Sequence, residues 1–170
     1  MNKIGVVMQK VIQFAYEEFL SRDELNLADV ELLKRAAEAV NHASAQFSHF
    51  NVGTAARLSD GSVYTSSNKE NTSIITCAEQ NLLLELHSLL REFTIESIAV
   101  TFKNMNPNTS SDFPITPCGK CRQLLLEAED KSGHAMRVIM AGQSGKIYIA
   151  TGVHSMLPLA YSESFLQHNH

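Results

Sequence analysis

The chain has 170 residues, 44% of them hydrophobic, enough for one domain with a real core and too few for a second. A net charge of -4 and a pI near 5.9 leave no basic field to hold a nucleic-acid backbone, so free small molecules are the expected partners. No apolar run approaches membrane-spanning length, and Gln9, Lys10 and Gln13 interrupt the apolar positions after Gly5 as no secretory signal would, which makes a cytoplasmic location the expectation.

Residues 4–20 place Val7, Val11, Phe14, Ala15 and Phe19 near helical spacing, predicting a first helix. Ser21-Arg22-Asp23-Glu24 then has the spacing of a capping box, a break or restart. A second helix, residues 27–44, carries Val30, Leu33, Ala37 and Val40 on one face. Val52, Thr54, Ala56 and Leu58 alternate, Asp60-Gly61 supplies a turn, and Val63 and Thr65 continue on a returning strand. From 76 to 90 leucines cover nearly every side of a helix, which suits a position beneath a sheet. Residues 95–102 read as a buried strand and 103–116, rich in Asn, Pro and Ser, as a long loop of the kind that frames a site. A helix over 118–130, strands over 137–141 and 146–150, and a short C-terminal helix complete the chain. The order predicts an α/β fold, a three-layer α/β/α sandwich with a mixed five-stranded sheet. The pattern divides the chain into an N-terminal helical extension, 1–25, and the α/β domain proper, 26–170.

All three cysteines fall in two motifs, Cys77-Ala78-Glu79 and Pro117-Cys118-Gly119-Lys120-Cys121-Arg122-Gln123. An odd cysteine count with two in a CxxC argues for metal rather than a disulfide framework. Three thiolates suit Zn²⁺ and leave one tetrahedral position for a water, with Glu79 close enough to exchange protons with it. Cys77 and Cys118 each open a helix, where the N-terminal dipole favours thiolate over thiol. Three thiolates also carry excess negative charge, which Arg122 is expected to offset by donating to a cysteine sulfur. A closed structural Cys₃His zinc is the alternative. Against it, none of His42, His49, His87, His134, His154, His168 and His170 has finger-like spacing to a cysteine, and His87 lies nearly three turns beyond Cys77.

Together with Phe47-Ser48-His49-Phe50-Asn51-Val52-Gly53, Asn68-Lys69-Glu70-Asn71 and Met156-Leu157-Pro158, these motifs fall in the order seen in cytidine deaminases. The sequence resembles the short, homotetrameric, Cys₃-zinc type. The resemblance implies hydrolytic deamination of cytidine and deoxycytidine to the uridine nucleosides and ammonia, in pyrimidine salvage. It implies Glu79 as proton carrier and Asn68 and Glu70 as holders of a sugar hydroxyl, with Phe50 lining the nucleoside pocket. Backbone around Ala78 and Pro117 would contact the pyrimidine. Tyr161 stands where the family has a phenylalanine that stacks on the base from a neighbouring subunit, so the pocket would cross a subunit interface. The chain departs from the pattern at Asn51 and Lys69, at Ile74-Ile75 in place of a tyrosine, and in an Asn68–Cys77 spacing two residues short; the loop before Pro117 is longer. Deamination of another aminopyrimidine, such as a blasticidin-like antibiotic, is the nearest alternative, and retention of Glu70 favours nucleosides over it. A non-catalytic zinc protein would have no use for Glu79, and an editing enzyme would need a basic, aromatic-studded strip.

Overall fold

The computed structural model describes residues 8–162. Eight strands and three α-helices follow in chain order: β1 (Glu17–Phe19), α1 (Leu27–Ala39), β2 (Phe50–Leu58), β3 (Val63–Ser67), β4 (Lys69–Glu70), β5 (Ile75–Thr76), α2 (Ala78–Leu89), β6 (Ile95–Asn104), α3 (Gly119–Ser132), β7 (Arg137–Ala141) and β8 (Ile147–Thr151). Six strands form one mixed sheet in the order β1-β8-β7-β6-β2-β3, and β4 and β5 make a separate two-stranded ribbon. Only β6 and β7 pair in parallel; the other pairs are antiparallel.

Side chains alternate across the sheet with the two-residue period of a strand. Ala55, Ala99, Ile139, Ala141, Ile147 and Ile149 face one way and pack against Leu32, Leu33 and Ala36 of α1. Their neighbours Ala56, Ile98, Val138, Met140 and Ala150 face the other way, toward Leu82, Leu83 and Leu86 of α2 and Leu125 and Leu126 of α3. The three-layer expectation therefore holds. Each fully buried leucine of these helices contributes about 1.5–3 kcal/mol of apolar transfer. Asn26 caps α1 by accepting from the Asp29 amide at 2.8 Å, and Asp29 pairs with Arg137 of β7 at 2.7 Å, tying α1 to the sheet.

The first predicted helix is the main correction. Its residues 4–7 lie outside the described residues; 8–16 carry no regular structure, and 17–19 are β1, the sixth strand. β1 pairs Glu17, Glu18 and Phe19 with Ile149, Tyr148 and Ile147 of β8, covering what would otherwise be an open edge. The helical spacing of Val11 and Phe14 has no surface to serve, since both are substantially exposed. Glu24 nonetheless reaches back to the Leu20 amide (2.9 Å) and Ser21 Oγ accepts from the Asp23 amide (3.3 Å), so the capping residues set a single 3₁₀ turn, Arg22–Glu24. The second helix stops at Ala39 and passes into a 3₁₀ turn over Val40–His42. The C-terminal helix is a 3₁₀ turn, Val153–Met156, within the described residues.

β3 and β6 both run antiparallel to β2, and β7 runs parallel to β6. Their carboxyl ends therefore lie along one edge of the sheet. The helices that follow β3 and β6, namely α2 and α3, begin at that edge, where ligands bind in open α/β sheets.

Candidate active site

Cys77 and Cys118 are the N-cap residues of α2 and α3, in extended backbone conformation. The carbonyl of each accepts the first helical bond, from Asn81 (3.1 Å) and Arg122 (2.9 Å). Unlike Asn26, neither uses its side chain to cap its own helix, which leaves the sulfur for another partner. Cys121, one turn into α3, is fully buried, and Asn81 Nδ2 fixes α2 against the end of β3 through the Ser67 carbonyl at 2.9 Å.

The three sulfurs lie within 4.8 Å of one another and, among the described residues, no histidine, aspartate or glutamate joins the cluster. Cys77 and Cys118 Sγ are 3.7 Å apart. Two sulfurs on a tetrahedral zinc, each at about 2.3 Å, stand about 3.8 Å apart, so the donor set and its spacing fit zinc with one position left over. The Cys121 thiol donating toward Cys77 draws the latter down to about 6, and the same contact with burial holds the proton on Cys121. Glu79 is buried on the first turn of α2; burial, with the nearby Cys77 charge, lifts its carboxyl to about 6.

A cavity of about 380 Å³ opens on this cluster; Cys77, Ala78, Glu79, Cys118 and Cys121 line it together with Phe50, Asn68 and Glu70. Asn68 Oδ1 accepts from the Val52 amide (2.8 Å) and its Nδ2 donates to the Phe50 carbonyl (2.9 Å), extending the β2 ladder with a side chain. Glu70 accepts from the amides of Phe47 (3.1 Å) and Ser48 (3.0 Å) and from Ser48 Oγ (2.5 Å). The Ser48 hydroxyl and these amides hold the Glu70 carboxyl below its ordinary value. Phe50 stacks on Phe102, centroids 4.7 Å apart.

Pro117 and Arg122 sit differently from the expectation, and Tyr161 lies apart from this protomer's own cavity. Pro117 is buried just outside the cavity lining, and its carbonyl is taken by Arg122 Nε at 2.9 Å. Arg122 spends its other bonds on the Met156 carbonyl (3.0 Å) and Thr116 Oγ1 (3.3 Å), oxygens rather than the expected cysteine sulfur. The reason is steric access: the side chain runs along the start of its own helix, toward the segment that precedes it. Tyr161 is half-exposed and outside the lining, its carbonyl accepting from Gln123 Nε2 at 2.9 Å. Ser48, Ile115 and Thr116 line the cavity without having been singled out; Ser48 lies in the Phe47–Gly53 segment and the other two directly precede Pro117, so their places next to the motifs were the available signal.

Residues 27–136 match the family model described as "Cytidine and deoxycytidylate deaminase zinc-binding region". A cytidine deaminase of Sporosarcina psychrophila is 30% identical over 143 residues, 82% of this chain and 96% of that protein. One from Halalkalibacterium halodurans is 36% identical over 98 residues, 56% of this chain and 68% of that protein. Among solved structures, the cytidine deaminase from Burkholderia pseudomallei superposes with a TM-score of 0.65 at 29% identity, covering 77% of this chain and 97% of that one. The enzyme from Mycobacterium tuberculosis gives 0.61 at 26%, covering 81% and 99%.

Proposed function

Because the chain belongs to the cytidine and deoxycytidylate deaminase family, we propose that it is a zinc-dependent aminohydrolase converting cytidine and deoxycytidine to uridine and deoxyuridine with release of ammonia. The observation that carries this reading is the sulfur triangle and the buried Glu79 lining one cavity with Asn68 and Glu70.

Cys77, Cys118 and Cys121 would hold the metal, which when bound supplies Lewis acidity that brings a water's pKa toward neutrality. Glu79 takes a proton from the attacking water and delivers it to the ring nitrogen of the pyrimidine; it then takes the remaining proton of the added hydroxyl and passes it to the departing amine, which leaves as ammonia as the carbonyl forms. Its burial excludes bulk water from those transfers. Asn68 and Glu70 retain acceptor and donor capacity beyond their backbone bonds and meet a sugar hydroxyl, while Phe50 offers an aromatic wall. The amide side of Ala78 and the Pro117 segment, held by Arg122, frame the pyrimidine edge. This role places the protein in pyrimidine salvage in the cytoplasm; no helix among the described residues is long and apolar enough to cross a membrane.

The exposed Ile74, Ile75, Leu84 and Leu159 support assembly into a homo-oligomer, a tetramer by resemblance, with Tyr161 reaching a neighbouring protomer's pocket. Light scattering on the purified protein reads that assembly directly.

Zinc-loaded protein incubated with cytidine, deoxycytidine, their monophosphates and a blasticidin-type aminopyrimidine, followed by ammonia release, tests the substrate. Turnover highest on the two nucleosides is expected. Release from the antibiotic alone would transfer the activity to that class, and no release from any would overturn the reading.

A further inference from the structure

The connection from β6 to α3, residues 105–118, is seated at its start and at its middle. At the sugar-side wall, the Met105 amide donates to the His49 carbonyl (2.8 Å) and Asn106 Nδ2 to the Ser48 carbonyl (2.9 Å). At the β7–β8 turn, the Gln143 amide donates to the Ser111 carbonyl (2.5 Å) while Gln143 Nε2 donates to the Phe102 carbonyl (2.8 Å). The turn admits the loop through its glycines. A Cβ at Gly142 would collide with the Ser111 carbonyl and lie 2.7 Å from that of Phe113. One at Gly145, where φ is +78°, would collide with the Asp112 carbonyl.

This seating puts the Phe113 ring against Phe102, centroids 4.9 Å apart and tilted by 51°. Phe102 is wholly buried and stacks in turn on Phe50, whose ring lines the cavity. Phe113 itself is half-exposed, so filling the core is only part of what its ring does. Removing it would free one face of Phe102 and let that ring shift toward the loop, carrying the Phe50 stack with it.

We propose that Phe113 is a positioning residue for a pyrimidine nucleoside: clasped by the 142–145 turn, it fixes the Phe50 wall through Phe102. The inference rests on the nucleoside reading of the cavity. Phe113 touches no reacting atom, so its loss acts on substrate seating rather than on proton transfer.

Steady-state kinetics on zinc-loaded F113A, F113L, F113Y and G145A test this, with zinc content and melting temperature measured alongside. F113A and F113L should raise KM for cytidine by about five- to tenfold while kcat changes by less than about twofold, and F113Y should return KM to within about twofold of the parent. G145A should reproduce the KM defect without altering any aromatic ring. An active parent with unchanged KM in F113L overturns the inference alone, as does a fall in melting temperature or kcat without a rise in KM. A parent protein inert toward cytidine overturns the nucleoside reading and this inference with it, and is told apart by that inertness.

Discussion

The two ends of the α2–α3 pair carry opposite chemistry. At their N-termini stand Cys77, Cys118 and Glu79 around a cavity of about 380 Å³. Toward their C-termini a larger cavity, about 490 Å³, is lined by His87, Arg91 and Lys131 among others. Helix polarity accounts for the contrast, because N-terminal amides favour thiolates and carboxylates while C-terminal carbonyls favour cations. Volume therefore misleads here. The smaller cavity brings together a metal donor set, a buried acid and an aromatic wall; the larger one sets Arg91 and Lys131 beside Glu92 and, among the described residues, holds no metal donor set.

Substitution at the sulfur end should have the largest effect. Glu79→Gln preserves shape and removes the proton carrier, so kcat on cytidine should fall by about 10³-fold while zinc content, read by elemental analysis, stays at the parent level. Near-parent turnover in that variant would take the chemistry away from this end of the helices.

Next in size is a change in the last turn of α3. Glu129 of α3 is buried and accepts from the Met136 amide (2.7 Å) and the Val153 amide (3.0 Å), joining the start of β7 to the 153–156 turn. Glu129→Ala strands both donors at about 1–3 kcal/mol each, which lowers the melting temperature by on the order of 10 °C. Met156, in that turn, receives Arg122, so zinc retention with slightly weakened turnover is expected. A melting temperature within about 2 °C of the parent would show that water replaces the carboxyl there.

A smaller effect distinguishes the wall opposite the metal. The Ser48 hydroxyl and the amides of Phe47 and Ser48 depress the Glu70 carboxyl below 4.5, so the folded state gives up this proton more readily than the unfolded chain does. That contribution is complete above about pH 4.5 and disappears as the pH falls through the lower folded value. Denaturant titrations of the parent and Glu70→Gln should therefore show a stability gap that narrows on acidification below about pH 4.5. A gap constant from pH 7 to pH 3 would mean that the carboxylate's charge is not what holds the 47–48 segment.

The parts of this site legible in the sequence are those built from local pattern. Cys77 and Cys118 lie where a turn meets an apolar helical run, and alternation over 52–58 marks β2, so both layers and the donor set follow from neighbouring residues. What escaped depends on partners far along the chain. β1 is three residues, Glu17–Phe19, with no alternation of its own, and exists because β8, some 130 residues later, needs an edge partner. The Arg122 acceptors at Pro117 and Met156, and the Asn68 amide acting as a length of strand, are likewise long-range matches that spacing cannot encode. Glycines 142 and 145 look like ordinary turn residues until the 105–118 loop is laid across them.

The smallest expected effect is at the cationic end. Lys131 and Arg91 line the larger cavity, and no ion pair to either is present among the described residues. α2 has 12 residues, about 18 Å of helix, which separates its two ends by more than two screening lengths at physiological salt. The double variant Arg91→Ala with Lys131→Ala should keep kcat/KM on cytidine within about 1.5-fold and bind zinc as the parent does, because exposed charges at that distance reach the site only through a screened field. A tenfold loss, with the protein still folded, could not travel electrostatically. It would require the helices to move as rigid levers between the two cavities, and the division of the pair into a reactive and an inert end would then have to be abandoned.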